Sequence, residues 1–307
     1  RDRRGLRVGV LGVTVFRPFP AREIVDALRG VRAAAVIERM DNPLAAGNPL
    51  ATEIKAAFAD AAAGDGHAIR IPIIHGASAG LGSRDVRPGD LVAAVGEIAK
   101  GGRRSFVLGI KHESAVPRIE DPDVRPPGAF SMRGHSVGGF GSVATNRVIA
   151  TLLGDLPFEL WVQAYPLYGS EKKGLPTTYY LTVAEERIRT HSELAQVDFV
   201  PLNDINAFKL GDPLAGIAAG GTVFVQSAET DPARIWAQLP DAAKAAIRDK
   251  GLRLLALDTV KIARETSTNP ALQQRMQGIV LLGIFLRATP FLERRKVGVD
   301  QAFAAVE

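Results

Sequence analysis

The sequence predicts an α/β protein of two domains, the first built on a mainly parallel sheet, and three observations predict it. Short Val- and Ile-rich runs alternate with amphipathic helical ones through the first 111 residues. The rhythm breaks over 112–129 and then resumes toward the C-terminus. Strand and helix alternating at this pitch form parallel sheets covered by helices, because each parallel crossover needs a connection of helix length.

In the first domain, 1–111, the Val-rich run Leu6 to Phe16 reads as a strand. Ala21 to Leu28 follows with Ile24, Val25 and Leu28 at helical spacing behind the favourable start Pro20-Ala21. A strand at Ala34–Glu38, a helix at Pro49–Ala61, a strand at Ile69–Ile74, a helix at Pro88–Ile98 and a strand at Ser105–Ile110 complete it. Residues 112–129 hold four prolines (117, 122, 126 and 127) and no apolar periodicity, the composition of a linker.

The second domain, 130–307, opens with a short strand ending near Met132, a glycine-rich turn and a helix over Val143–Leu153. Strands are expected at Leu160–Ala164, Thr178–Val183, Val197–Pro201, Thr222–Gln226 and Leu252–Leu257. Helices are expected at Pro232–Leu239, Asp241–Lys250, Thr259–Glu265, Ala271–Leu286 and, as a tail, Val299–Val306.

Composition narrows the chemistry. The 307 residues suit about two domains, and at 46% hydrophobic and 23% charged both can bury a core. There is no cysteine, so this chain supplies no thiolate nucleophile, disulfide or cysteine ligand to a cluster or zinc. The five histidines fall at no metal-ligand spacing. The net charge is +5, with the basic residues scattered among acids, which suits anionic small ligands and gives no nucleic-acid footprint. The longest apolar stretch, around Ile279 to Phe285, is far below the ~20 residues of a membrane span. No signal peptide is legible and the expected location is the cytoplasm. The start, Arg1-Asp-Arg-Arg, has no initiator methionine and leaves open a natural subunit or a segment of a longer chain.

Two stretches could carry chemistry. Gly134-His-Ser-Val-Gly138-Gly139-Phe-Gly141 lies between an expected strand and helix, where backbone N–H groups and a helix N-terminus cradle phosphate. It matches neither a dinucleotide fingerprint nor a Walker sequence, so a tight turn without ligand competes with an anion-binding loop. Tyr168-Gly-Ser-Glu-Lys172-Lys173-Gly174 sets two lysines in a loop after an expected strand, either as phosphate cations or as an ordinary solvated loop. Gly64-Asp65-Gly66 is read as a turn, since no Asn occurs between Asn48 and Asn146 to complete a magnesium site. No nucleophile elbow and no carboxylate pair declares itself, so no catalytic residue and no metal ligand is assigned.

At these residues the sequence resembles the 2-oxoacid:ferredoxin oxidoreductases, of the pyruvate:ferredoxin/flavodoxin kind. In the first domain Phe16-Arg-Pro-Phe-Pro20, Ile37-Glu-Arg-Met-Asp-Asn-Pro43, Gly47-Asn-Pro-Leu50 and Gly80-Leu-Gly-Ser-Arg84 carry the resemblance. In the second, Arg133 to Gly141, Ser170-Glu-Lys-Lys-Gly174, Ala195-Gln-Val-Asp-Phe199, Gly220-Gly-Thr222 and Val260-Lys-Ile-Ala263 carry it. The fold it implies is a transketolase C-terminal-like, mainly parallel sheet followed by a gamma-type α/β domain.

The resemblance implies oxidative decarboxylation of a 2-oxoacid, pyruvate first among them, with coenzyme A to acyl-CoA and CO2, or the reverse, with ferredoxin or flavodoxin as electron partner. Thiamine diphosphate, magnesium and iron–sulfur clusters are then expected in partner domains, and a dimer of complete catalytic units. This chain would be a non-catalytic portion that helps bind coenzyme A and docks the other domains. The family's gamma domain points to Gly134, His135, Ser136, Val137 and Gly138 for the loop, Lys172 and Lys173 for the cations, and Asp204, Gln226 and Asp258 at strand ends. The family commonly has Asn where Asp204 and Asp258 stand, and Leu-Gly where His135 and Ser136 stand. A stand-alone nucleotide-binding or scaffold module without turnover is the competing reading; a self-sufficient transferase would need a nucleophile or base that the sequence does not offer.

Overall fold

The computed structural model of the protein describes residues 5–64, 69–137, 142–155, 160–168, 176–288, 293, 296 and 298. Two compact units divide the chain, Arg1–Pro122 and Asp123–Glu307.

The first unit is a parallel sheet in the order β1-β2-β3, from β1 (Ala33–Glu38), β2 (Ile73–Ser78) and β3 (Ser105–Val107). The helices α1 (Ala21–Leu28) and α2 (Pro49–Gly64) pack with Val36 and Ile74, whereas α3 (Pro88–Ala99) packs with Ala35, Ala77 and Phe106. Those strand positions alternate, so helices cover both faces and the small residues of β2 are what both layers require. The β2 strand begins four residues later than the pattern suggests, directly after Pro72, which lacks the N–H a ladder needs. The β3 strand stops early because the chain turns at Gly109, whose φ of 75° is left-handed. The expected strand over Leu6–Phe16 is absent: among the described residues its backbone joins no ladder, for want of a neighbouring strand.

Residues of the first-domain motifs close the C-terminal edge of this sheet. The Glu38 carboxylate accepts from the N–H groups of Leu50 (2.8 Å) and Ala51 (3.2 Å), occupying the start of α2. Buried Asn48 donates to the Met40 carbonyl (2.9 Å) and to Ser78 Oγ (3.1 Å), and Ser78 donates to Asp41 (3.0 Å). The stretch expected as a linker is pinned at both ends. Val116 is buried, Arg118 Nε donates to fully buried Asp90 at 2.9 Å, and Asp121 pairs with Arg87 at 2.7 Å. Further on, Arg125 pairs with Asp198 at 2.8 Å inside the second unit.

The second unit is a six-stranded mixed sheet in the order β5-β6-β4-β7-β8-β9. Its strands are β4 (Phe130–Val137), β5 (Trp161–Tyr168), β6 (Pro176–Ala184), β7 (Val197–Leu202), β8 (Ile217–Gln226) and β9 (Arg253–Leu257). Strands β4, β7, β8 and β9 run parallel, and β6 is antiparallel to both β4 and β5. Helices α4 (Ser142–Asp155) and α8 (Pro270–Ala288) bury Met132, Tyr179, Phe199 and Phe224 against Ile149 and Phe285. On the other face α5 (Pro232–Gln238) and α6 (Asp241–Asp249) cover Tyr180, Val200, Val223 and Val225. Neighbouring residues thus feed opposite cores, the period-2 signature of strands buried on both faces. Helix α7 (Thr259–Thr266) follows β9. The expected tail Val299–Val306 lies outside the described residues. Among those described, no helix is long and apolar enough to cross a membrane.

Candidate functional site

Four parallel strands, β4, β7, β8 and β9, are neighbours in the sheet and end on the same edge. The residues expected to bind are distributed along that edge. Gly134, His135, Ser136 and Val137 belong to β4, Asp204 follows β7, Gln226 closes β8 and Asp258 follows β9. With about 4.8 Å per strand step, the row spans roughly 14 Å. The carboxyl edge of such a sheet is where α/β proteins bind ligands.

The glycine stretch needs correction in one respect. Gly134 to Val137 are not a loop; they are the closing residues of β4, paired antiparallel with Tyr179, Thr178, Thr177 and Pro176. Their backbone pairs with β6 along that length, so one side of it is taken up by the ladder. Gly138, Lys172 and Lys173 lie outside the described residues. Tyr168 and Pro176, the described residues flanking the lysine stretch, stand at the end of the sheet where β4 ends.

Gly134 serves packing. A Cβ there would overlap the ring and hydroxyl of its cross-strand partner Tyr179, which is completely buried. Asn203 Nδ2 donates to that Tyr179 hydroxyl at 3.3 Å, and the Asn203 N–H donates to the His135 carbonyl at 2.8 Å. Burial raises the Tyr179 pKa far above its ordinary value, so the phenol stays protonated. Neither Tyr179 nor Asn203 is marked by any motif in the sequence.

His135 stands on the opposite face of β4. Its Nδ1 lies 3.5 Å from Thr178 Oγ1, and its buried Nε2 has no hydrogen-bond partner among the described residues. Burial, with the Arg133 charge adding to it, lowers its pKa from 6.5 to about 4. The imidazole is therefore neutral when folded. Because the unfolded chain takes up this proton first, stability is complete above about pH 6.5 and is lost as the pH falls toward about 4. The loss amounts to roughly 3 kcal/mol. His135→Gln is expected to flatten that part of the stability–pH curve, measured by urea melts; an unchanged slope would contradict a buried neutral imidazole.

At the far end of the row, Gln226 and Asp258 are brought together. Gln226 Nε2 donates to Asp258 Oδ1 at 3.1 Å, and its Oε1 accepts from the Thr259 N–H at 2.7 Å. Asp258 caps α7 by accepting from the Lys261 N–H at 3.0 Å. That backbone bond, ahead of the one from Gln226, lowers the Asp258 pKa and keeps it ionised. Asp204 likewise caps the 3-10 turn Ile205–Lys209 through the Asn206 N–H at 2.9 Å. Both aspartates thus have local work as caps, and Asp is as good a cap as Asn.

Beside Asp258 is a cleft of about 520 Å3 lined by Gln226, Ala228, Asp258, Val260, Lys261, Arg264 and Glu265. Lys261 and Arg264, three residues apart on α7, add cations to its wall. Lys261 also lies 3.9 Å from Glu265, an exposed and therefore weak pair. No motif in the sequence singles out either cation as a ligand. Their spacing on an amphipathic helix after a strand end was the available signal. Among the described residues no group of His, Asp or Glu could hold a metal ion.

Two family models match. The "Pyruvate:ferredoxin oxidoreductase core domain II" matches residues 1–91, and "Pyruvate ferredoxin/flavodoxin oxidoreductase" matches residues 131–305. The chain is 28% identical over 279 residues to a probable pyruvate-flavodoxin oxidoreductase of Escherichia coli K12, covering 89% of this chain and 23% of that protein. It is 29% identical to the pyruvate-flavodoxin oxidoreductase of Rhodospirillum rubrum, covering 99% of this chain and 27% of that one. The chain therefore spans about a quarter of the length of these relatives. Among solved structures, the gamma subunit of a keto/oxoacid ferredoxin oxidoreductase from Geobacter sulfurreducens PCA aligns over 58% of this chain and 83% of its own. Its identity of 18% and TM-score of 0.40 carry no weight for function. On the family match, which takes in more than half of its residues, the chain belongs to the pyruvate ferredoxin/flavodoxin oxidoreductase family.

Proposed function

We propose that this chain is a non-catalytic portion of a thiamine-diphosphate- and iron–sulfur-dependent 2-oxoacid:ferredoxin or flavodoxin oxidoreductase, acting on pyruvate. Its second unit helps bind the nucleotide end of coenzyme A. The observation that carries the reading is the row of strand ends from Ser136 to Asp258 on one edge, with Lys261 and Arg264 beyond it. A polyphosphate needs cations spread over about such a length, within a cleft that orients it.

The residues present do not fit the redox cofactors. No cysteine is available to a cluster, and the described residues hold no acidic group set for magnesium. Those cofactors are assigned to the portions of the enzyme that this chain does not span. Thiamine diphosphate supplies the electron sink for decarboxylation. What this chain's residues do is hold phosphate charge: Lys261 and Arg264 beside Asp258, with Lys172 and Lys173 completing the set of cations. Asp258, fixed as a cap, sets a negative limit that positions phosphate toward the cations.

The test is calorimetric titration of coenzyme A into the complete enzyme and into its Lys172→Ala and Lys261→Ala variants. Loss of a charge-assisted hydrogen bond worth about 1.5–3 kcal/mol weakens binding by about tenfold or more. Affinity unchanged in both variants would overturn the assignment.

A further inference from the structure

The turn that follows β2, Gly80-Leu-Gly-Ser-Arg84, stands at the carboxyl edge of the first unit's parallel sheet, on its middle strand. Such an edge is where α/β folds take ligands. Gly80 and Gly82 are left-handed, with φ of 68° and 61°, whereas Leu81 between them is not among the residues of positive φ. Alternation of hand along the chain turns successive N–H groups to one side, the geometry of an anion-binding nest. Among the described residues the N–H groups of Gly80, Leu81 and Gly82 meet no acceptor, although Gly80 is buried. A donor kept from water without an acceptor is costly, and native folds rarely tolerate one.

Two arginines lie against the same turn. Arg39 Nε donates to the Gly80 carbonyl at 3.3 Å, and a Cβ added at Gly80 would meet Arg39 Cγ at 3.3 Å. A Cβ added at Gly82 would meet Arg84 Nη1 at 2.6 Å. Bare glycine at both positions is what lets the two side chains fold over the backbone. Among the described residues neither guanidinium pairs with a carboxylate. Two cations gathered on one turn repel each other unless an anion joins them.

Other donors of this unit are met by the chain's own side chains. Glu38 accepts from Leu50 and Ala51, and Asn48 Oδ1 accepts from the Asn42 N–H at 3.0 Å. Asp90 accepts from the Arg87 N–H at 2.9 Å, and Asp121 from the Gly89 N–H at 2.8 Å. Asp41, two residues from Arg39, accepts from Ser78 Oγ. The starts of α2 and α3 thus carry built-in carboxylates, whereas the turn at Gly80 carries cations.

We infer that this turn, with Arg39 and Arg84, is a binding site for one phosphate group of a small molecule, separate from the row of strand ends in the second unit. The three N–H groups take oxygens from one side, and the planar forks of the guanidinium groups take others. A tetrahedral dianion, with its several oxygens, satisfies such a donor set more fully than one carboxylate does. The site does not rest on the coenzyme A reading, so either can fail alone.

Calorimetric titration of inorganic phosphate into the complete enzyme, saturated with coenzyme A so that the coenzyme's own site is filled, tests it. Phosphate should bind, and Arg84→Ala should weaken that binding about tenfold or more, as loss of a charge-assisted hydrogen bond does. Arg84 is exposed, and its side chain makes no hydrogen bond among the described residues, so this variant should melt as the parent does. Arg39→Ala should weaken binding to a similar degree. No binding at millimolar phosphate, or affinity unaltered in both variants, would overturn the inference. So would binding by this chain alone that the complete enzyme lacks, because an acidic side chain from the rest of the enzyme would then hold these donors.

Discussion

Gly134→Ala should destabilise the second unit by about 3 kcal/mol, the upper end for an overpacked core. The added methyl would occupy the space of the Tyr179 ring, and that ring has nowhere to go. Tyr179 is completely buried among Met132, Leu181, Phe199 and Phe285, and Asn203 holds its hydroxyl. The backbone of β4 cannot yield either, being paired with β6 on one side and β7 on the other. A double-mutant cycle gives the decisive reading. With Tyr179→Ala already in place, adding Gly134→Ala should cost less than about 1 kcal/mol, so the two changes should be coupled by about 2 kcal/mol. Strict additivity in urea melts would mean that the ring does not lie over Gly134.

Arg133→Met should cost a similar amount for a different reason. The buried Arg133 guanidinium donates to the carbonyls of Leu194 (3.1 Å), Pro213 (3.0 Å) and Ala215. Those carbonyls belong to two irregular segments, before β7 and before β8, that no regular ladder holds. Removing the donor strands buried acceptors at about 1–3 kcal/mol each, so a total of about 3 kcal/mol or more is expected. Arg133→Lys should recover little of it, since one ammonium cannot span the fork of three acceptors. Limited proteolysis should cut near 186–196 and 209–216 in the variant. The pKa of His135 should also rise, because the Arg133 charge is one of the two causes that hold it down. A His135 titration unmoved in Arg133→Met would show that this charge is not felt there.

The helices and buried strands of both units were legible because their periodicity is strong: Ile24, Val25 and Leu28 mark α1, and Phe199 beside Val200 marks a strand with two covered faces. The errors have local causes. Leu6–Phe16 has strand composition, but a strand exists only where a neighbour offers a ladder, and composition does not report neighbours. Gly134 looks like a loop residue because glycine is common in turns, whereas here it makes room for an aromatic ring across the ladder. That ring, 45 residues along the chain, leaves no trace near the glycine. The charge of Asp204 and Asp258 is a separate matter: as caps of the turn and helix that follow them, their charge is locally satisfied. Lys261 lies inside the segment Val260–Ala263 and Arg264 one residue beyond it, and neither stands out, since a helix bearing two cations has nothing unusual in it.

The strand order of the second unit also governs how that unit can come into being. Its earliest strand, β4, is central, and its two partners arrive late: Phe130 pairs with Val183, and Met132 with Phe199. Contacts this distant in sequence close large loops before they return any favourable energy, which places folding in the slow, millisecond-to-second class. On a ribosome adding about 5–20 residues per second, β4 waits for several seconds with both edges bare. The nascent chain thus carries a central strand through a long unprotected interval, and the antiparallel β6, first to reach it, acts as the clasp that begins to end that exposure.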